Sequence, residues 1–485
     1  MDQPHYRVAV LGAGMSGLCM AIELRKQGIG DFIVLEKGPS VGGTWRENTY
    51  PGVACDVPSH LYSFSFELNP DWSHAFSGGA EIRTYCERCV ERYGLTPHLQ
   101  FNAEVQTLTF DGTHWQVSLA DGRRLSADMV VSGLGGLHRP NHAAIEGRES
   151  FAGHLFHTAE WDHQHDLKGC KVAIIGTGAS AAQVLPSIAA DVAQVTVFQR
   201  SAAWVFPRMA RDISPERRAR YRRFPALMRL HRWLLWLLMD LLGTLSLRRG
   251  SALQARLERR ARDFLKQEVR DPDTRRKLTP DYAAGCKRRC ISDDYLATFN
   301  RSNVQLVTDA ITRIEAAGIR DASGVLHEVD TIIEATGFKP FDIHEYVDIR
   351  GRDGMRLQDQ WRHRVESYRT LMAPGFPNFF MLLGPNSATG HTSALIMIES
   401  QARFVTRCLR LLAARDAQHV EPTSEATRRF NFRIQRDMQK MVFSGGCNAW
   451  YTDEQDHNFT LWPYSALRFC AEFLRLKPEE LKIEH

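Results

Sequence analysis

Val8-Ala9-Val10-Leu11-Gly12-Ala13-Gly14-Met15-Ser16-Gly17-Leu18 reads as an apolar strand, a glycine turn and the start of a helix. Helical character runs on to Gln27, and Phe32-Ile33-Val34-Leu35-Glu36 is the next strand, completing a βαβ unit. Each glycine has a physical task. Gly12 permits the tight turn, Gly14 removes a side chain that would block a pyrophosphate, and Gly17 lets helix and strand pack closely. Backbone N–H groups and the helix dipole favour negative charge at the helix N-terminus, with Ser16 in its first turn. Glu36, about 20 positions on, is placed to accept hydrogen bonds from the ribose hydroxyls of an adenosine half.

The same events recur further along. Lys171–Ile175 is a strand, Gly176-Thr177-Gly178-Ala179-Ser180-Ala181 a turn, and a helix carrying Gln183 follows through Ala189. The strand Val195–Phe198 then ends in Gln199-Arg200-Ser201, without an acid. A carboxylate there would repel a 2′-phosphate, whereas Arg200 would bind one. The second turn is therefore read as a site for NADPH rather than NADH. A third apolar strand, Thr331–Glu334, leads into Ala335-Thr336-Gly337.

These signals predict an α/β fold with two Rossmann-like dinucleotide-binding domains and an inserted helical segment. A chain of 485 residues exceeds what one core usually serves. The predicted layout is a first part of an FAD-binding domain at 1–145, a linker at 146–170, and an NADP-binding domain at 171–330. The second part of the FAD-binding domain follows at 331–485. The helical insert, about 207–280, is rich in Arg and Leu at helical spacing. Its longest uncharged run, Trp233–Met239, falls short of the ~20 residues that span a bilayer. Packing on the body of the protein is favoured over contact with membrane or greasy substrate.

The net charge of +5 is too weak to argue for nucleic acid. Ten scattered cysteines lack framework spacing, and the first strand begins almost at once. The expectation is free thiols, no signal peptide and a cytoplasmic location. Cys86 and Cys89 fall on a helical stretch, Ala80–Tyr93, read as a surface helix, so they are taken as incidental. Cys286 and Cys290 receive the same reading. His154, His157, His163 and His165 crowd together, yet no cysteine pair or helix-borne HExxH pattern accompanies them, so no metal is expected.

Two long motifs then resemble a known family. Gly43-Thr44-Trp45-Arg46-Glu47-Asn48-Thr49-Tyr50-Pro51-Gly52-Val53-Ala54-Cys55-Asp56 matches a motif of Baeyer–Villiger monooxygenases. Phe151-Ala152-Gly153-His154-Leu155-Phe156-His157-Thr158-Ala159-Glu160-Trp161-Asp162 matches their fingerprint in full, just before the second glycine turn. Ala335-Thr336-Gly337, Gly384-Pro385-Asn386 and Trp450 resemble the family too.

The resemblance implies FAD on the first turn, with Gly43, Thr44, Trp45, Asp56, Tyr62 and Val105 as further contacts. It implies a C4a-peroxyflavin that inserts oxygen beside a ketone carbonyl, using NADPH and O2. Gly285-Cys286-Lys287-Arg288-Arg289 is similar to the family's lysine–arginine pair. Arg288 is then the catalytic cation, Asp56 its orienting carboxylate, and Lys287 a 2′-phosphate ligand beside Arg200 and Ser201. The family often has proline where this chain has Arg289, which leaves the register of the three bases open by one. By resemblance, Phe151, Gly153, His157 and Trp161 belong to a linker coordinating domain movement, and Trp450 to the substrate or nicotinamide pocket. The rival readings are a relative oxygenating nitrogen, sulfur or a hydrocarbon chain, and a flavin-dependent disulfide reductase. The second needs a redox cysteine pair at the flavin, and only Cys55 lies in that loop. Oligomeric state and the individual ketone are not readable from these residues.

Overall fold

A computed structural model describes residues 3–339, 347–444, 446, 452 and 457–485. Strand β1 (His5–Leu11) feeds helix α1 (Met15–Lys26) and strand β2 (Phe32–Leu35). A short helix α2 (Thr44–Glu47), a longer α3 (Gly79–Arg92) and β3 (Leu99–Gln100) follow. β4 (Val105–Phe110), β5 (Trp115–Leu119) and β6 (Arg124–Ser132) form an antiparallel meander. Its last strand pairs in parallel with β1, so a nucleotide-type unit and a meander share one sheet. Residues Met15 to Leu24 of α1 are all buried. An apolar helix buried all round needs cover on every side. The sheet lies on one side, and apolar residues of the helix Ala394–Arg415 share its core cluster.

The second sheet collects β7 (His154–His157), β8 (Lys171–Ile175) and, after helix α4 (Ala179–Ile188), β9 (Gln194–Phe198). The chain then forms β10 (Val205–Phe206) and a helical region of α5 (Pro215–Arg223), α6 (Pro225–Ser246), α7 (Ala252–Glu268) and α8 (Pro272–Lys277). It returns through β11 (Cys290–Ile291), which pairs with β10, a helical turn α9 (Tyr295–Thr298) and β12 (Val304–Val307). A small antiparallel sheet of β13 (Ile311–Glu315), β14 (Gly318–Asp321) and β15 (Leu326–Glu328) precedes β16 (Thr331–Glu334). The second sheet runs β12-β9-β8-β16-β7, all parallel. The chain finally rejoins the first sheet with β17 (Asp348–Arg350) beside β4 and β18 (Phe379–Met381) beside β6.

Two sequence expectations need correction here. Thr331–Glu334, placed at the head of the returning part, is instead an inner strand of the second sheet, between β8 and β7. Its four residues are all buried, as befits a parallel strand covered on both faces. The fingerprint segment, read as linker, supplies the edge strand β7. Local sequence carries the strand but not its partner, because parallel pairing joins segments far apart in the chain.

The thiols also differ from expectation. Helix α3 does not lie open on the surface, for Cys86 and Cys89 are 0% and 1% exposed and face the core with Ile82 and Tyr85. Cys286, expected free, is disulfide-bonded. Cys19, Cys55, Cys86, Cys89, Cys170, Cys290, Cys408 and Cys470 are free.

Candidate active site

Gly12 sits at φ +90, and a Cβ on it would lie 2.9 Å from the Gly133 carbonyl oxygen. A Cβ on Gly17 would lie 1.8 Å from the Gly12 oxygen, so strand and helix touch there through backbone alone. Gly14 is different. Its nearest neighbour is the Gly43 Cα at 3.4 Å, so a side chain there would fill a shallow cradle rather than strike the chain. Helix α1 begins at Gly14 with no side-chain cap, as α4 begins at Gly178. By contrast Ser214, Ser251 and Thr423 cap the helices that follow them. A glycine N-cap that leaves first-turn N–H groups without a side-chain acceptor suits a phosphate.

Glu36 is 4% exposed at the end of β2. One carboxylate oxygen accepts from the Ala13 N–H at 2.8 Å, and the other from the Gly38 N–H and Arg46 Nη1, both at 2.8 Å. Arg46, which sequence reasoning passed over, thus holds Glu36 in place at the end of the turn. It also bonds Glu47 and the Ser40 carbonyl oxygen. Burial works against its charge, but the two carboxylates more than offset this and raise its pKa. The only local signal was its place beside Trp45. Trp45 donates from Nε1 to the Tyr62 hydroxyl at 3.1 Å, behind Gly43 and Thr44 at the start of α2. Val105 opens β4 in the apolar cluster with Leu35 and Ala103.

At the second turn, Gly176 (φ +117) is forced by the Ala335 oxygen, 2.4 Å from where its Cβ would be. A Cβ on Gly178 would meet nothing within 4 Å, at an ordinary φ of −76. Protein packing therefore does not demand Gly178, while a close-approaching pyrophosphate would. Thr177 Oγ1 donates to the Ser201 carbonyl oxygen at 2.9 Å and ties the turn to the end of β9. Lys287 Nζ donates to Ser201 Oγ at 3.0 Å. Partial burial pulls the Lys287 pKa down, and the nearby Arg200 cation pulls it further. Two cations pressed together beside a serine hydroxyl suit a dianionic phosphate.

Gln183, expected at the dinucleotide, uses its amide to grip the motif loop of the first sheet. It donates to the Ala54 carbonyl oxygen at 3.0 Å and accepts from the Tyr50 hydroxyl at 2.9 Å. Ser180 also lies against Tyr50. Gly52 (φ +81) completes this contact, since a Cβ there would lie 2.3 Å from Ser187 Oγ and 2.6 Å from the Gln183 oxygen. The glycine of the motif is thus fixed by the approach of α4, and the two nucleotide turns are joined by it.

The same loop ends at Asp56. Arg288 donates from Nε to Asp56 Oδ2 at 3.1 Å, and its Nη2 bonds the same oxygen. The Arg288 side chain remains 44% exposed, so the pair fixes the guanidinium without enclosing it. The neighbouring bases go elsewhere. Lys287 reaches Ser201, while Arg289 Nη1 donates to Ser246 Oγ at 3.3 Å. Three consecutive cations thereby have three different partners. Trp450 lies outside the described residues.

The fingerprint has structural reasons too. A Cβ on Gly153 would lie 2.3 Å from the Asp330 oxygen and also strike the Phe151 ring. Trp161 stands edge-on to Phe156, centroids 5.1 Å apart. His157 is fully buried, and that burial lowers its pKa to about 4. Beside it, Glu334 is 0% exposed and was not singled out by sequence. It accepts from Arg148 Nη2 at 2.9 Å and the Ala143 N–H at 3.1 Å, and contacts His142 at 2.7 Å. The crowded histidines take separate hydrogen-bond partners, His154 with Asp162, His163 with Thr49 and His165 with Thr331, although the His154 and His165 rings stack with centroids 4.2 Å apart.

Thiol chemistry disfavours a reductase. Burial pushes the Cys55 thiol up and the Cys89 thiol up to about 12, so neither is a ready thiolate. The chain nevertheless shares the reductase layout, and residues 9–230 match the pyridine nucleotide-disulphide oxidoreductase family. It is 42% identical to the Baeyer–Villiger monooxygenase of Streptomyces coelicolor over 99% of this chain and 93% of that protein. The solved OTEMO complex with FAD and NADP superposes with a TM-score of 0.89 at 25% identity, over 99% of this chain and 100% of that one. Cyclohexanone-bound cyclohexanone monooxygenase gives a TM-score of 0.87 at 25% identity, over 100% of both chains. With its two motifs, its paired glycine turns and a near full-length relative at that identity, this chain belongs to the Baeyer–Villiger monooxygenase family.

Proposed function

We propose that this chain uses NADPH and dioxygen to insert one oxygen atom beside the carbonyl of a ketone, giving an ester or lactone. The observation that carries the reading is the Asp56–Arg288 pair at the seam of the two nucleotide turns. When bound, FAD takes hydride from the nicotinamide and activates dioxygen for transfer to the carbonyl. The first turn would hold it through the N–H groups of α1, with Glu36 at the ribose and Trp45 and Tyr62 behind. The second turn would hold NADPH, with Arg200, Lys287 and Ser201 at the 2′-phosphate.

Arg288 presents a fixed positive charge where negative charge gathers on oxygen during transfer, and Asp56 positions it. A cation held in place before the reaction stabilises such charge without reorganisation. A reaction on nitrogen or sulfur depends less on such a cation, so the tethered, half-exposed guanidinium favours the ketone. The relative bound to cyclohexanone supports the same substrate class. Incubation with linear, cyclic and aryl ketones, followed by mass spectrometry, should yield esters or lactones from at least one class. Products only from amine or sulfide substrates would overturn the reading.

The phosphate assignment has its own test. Arg200→Ala should raise the NADPH Michaelis constant by roughly tenfold or more, a charge-assisted contact being worth about 1.5–3 kcal/mol. The NADH constant should hardly move. Equal effects on both cofactors in steady-state kinetics would remove Arg200 from the 2′-phosphate.

A further inference from the structure

Helix α6 of the insert leaves one apolar stripe uncovered. Along α6, Leu230, Trp233, Leu234, Leu237, Leu238 and Leu241 recur at helical spacing and are each 44% to 57% exposed. The opposite face carries the polar contacts. Asp240, 5% exposed, accepts from the Ala466 N–H at 2.6 Å and the Leu467 N–H at 3.0 Å, and meets His391 at 2.9 Å. Burial would raise its pKa, but those bonds hold it below the usual carboxylate range. Arg232, also buried, donates to the Ser63 carbonyl oxygen at 3.0 Å. The expected packing on the body of the protein therefore holds for one face only: Leu235, Trp236 and Met239 pack against the main core beside these hydrogen bonds, while a second apolar stripe faces out. Scattered exposed leucines need no explanation, but a contiguous stripe the length of a helix does.

The surroundings identify the occupant. Residues 215–262 hold thirteen arginines against three acids, Glu216, Asp240 and Glu258. Asp240 is already bonded within the protein. Between α5 and α6 lies a groove of about 510 Å³ with Arg217 and Arg220 on one wall and Leu227, Leu230 and Leu234 on the other. Such a groove offers cations to an anionic head and hydrocarbon to a tail. A second copy of this chain would bring one arginine-rich rim against another and meet like-charge repulsion. No described helix is long and apolar enough to cross a membrane. An apolar stripe flanked by arginines on a non-spanning helix fits the interfacial plane of a bilayer.

We propose that α6 docks this protein on an anionic phospholipid surface, its leucine face in the acyl boundary and the flanking arginines among the headgroups. The far end of α6 reaches the site, since Ser246 there accepts from Arg289, next to Arg288. The docked helix is thus joined to the site through Ser246 and Arg289, an arrangement suited to a ketone dissolved in lipid.

The test is co-sedimentation of the FAD-loaded protein with vesicles of equimolar phosphatidylcholine and phosphatidylglycerol. Binding is expected, weakened by roughly tenfold or more on phosphatidylcholine alone or in molar salt. L234E/L238E should reduce binding to a similar extent, and R218Q/R220Q/R223Q should weaken it and flatten its salt dependence. Both variants should keep their bound FAD, melting temperature and rate of flavin reduction by NADPH. Absence of binding by the parent protein, or equal binding by L234E/L238E, would overturn the proposal. So would a concentration-dependent dimer that L234E/L238E dissolves, which would assign the stripe to a second copy of the chain.

Discussion

Arg288→Ala is expected to keep its FAD and to be reduced by NADPH at close to the parental rate, while ester formation falls by roughly two to three orders of magnitude. Loss of one preorganised donor at a developing oxyanion has that scale, about 2.7–4 kcal/mol. The geometry says why the two half-reactions separate. Arg288 is held by Asp56, whereas Lys287, proposed for the 2′-phosphate, is held by Ser201. Asp56→Asn should lie between, keeping the cation but loosening its aim. Anaerobic reduction followed at the flavin absorbance, paired with product yield in air, separates the outcomes. A variant that is reduced slowly but still couples every reduction to ester would place Arg288 with the nicotinamide instead.

The second large effect contrasts two glycines. Gly17→Ala pushes a methyl group to 1.8 Å from the Gly12 oxygen, with Val10 behind, inside the buried contact of β1 and α1. Backbone cannot move aside as a flexible side chain would, and overpacking of this kind costs roughly 3 kcal/mol. Against a total stability of about 5–15 kcal/mol, the variant should be recovered in low yield, without FAD and with a lowered melting temperature. Gly178→Ala meets nothing within 4 Å at a φ open to any residue. Its stability should stay within about 0.5 kcal/mol of the parent, yet its NADPH affinity should drop roughly tenfold. Thermal unfolding with and without NADP+ measures both. A Gly178→Ala protein that binds NADP+ normally would show that the pyrophosphate does not pass over that position.

Local signals carried much of the fold. The strands and helices around Gly12–Gly17 and Gly176–Ala181 stand where periodicity and glycine spacing put them, because each βαβ unit is built from near neighbours. Long-range partners were not legible. Nothing near Thr331 announces that it will pair with Val172 and His154, and nothing near Gln183 announces the Tyr50–Ala54 loop. Arg46 and Glu334 escaped for the same reason, as each gains meaning only from carboxylates or cations brought in by the fold. Helix α6 misled in a different way. Its leucine periodicity is the same for a buried stripe and an exposed one, and the bonds of Asp240 and Arg232, with Leu235, Trp236 and Met239 on the core, decide which face turns inward. Of the residues expected at the site, Asp56 and Arg288 are brought together by the fold, though 232 positions apart in the chain. The structure adds that Lys287, Arg288 and Arg289 diverge to Ser201, Asp56 and Ser246.

The most direct test of oxygen insertion beside a carbonyl is isotopic. The purified, FAD-loaded protein is incubated with NADPH, a ketone from the product screen and oxygen-18 gas, and the product mass is read. One heavy atom per ester or lactone, at the ring or bridging oxygen, with one NADPH consumed for each, is the expected result. Unlabelled product, or NADPH consumed to hydrogen peroxide with every ketone returned unchanged, would contradict it.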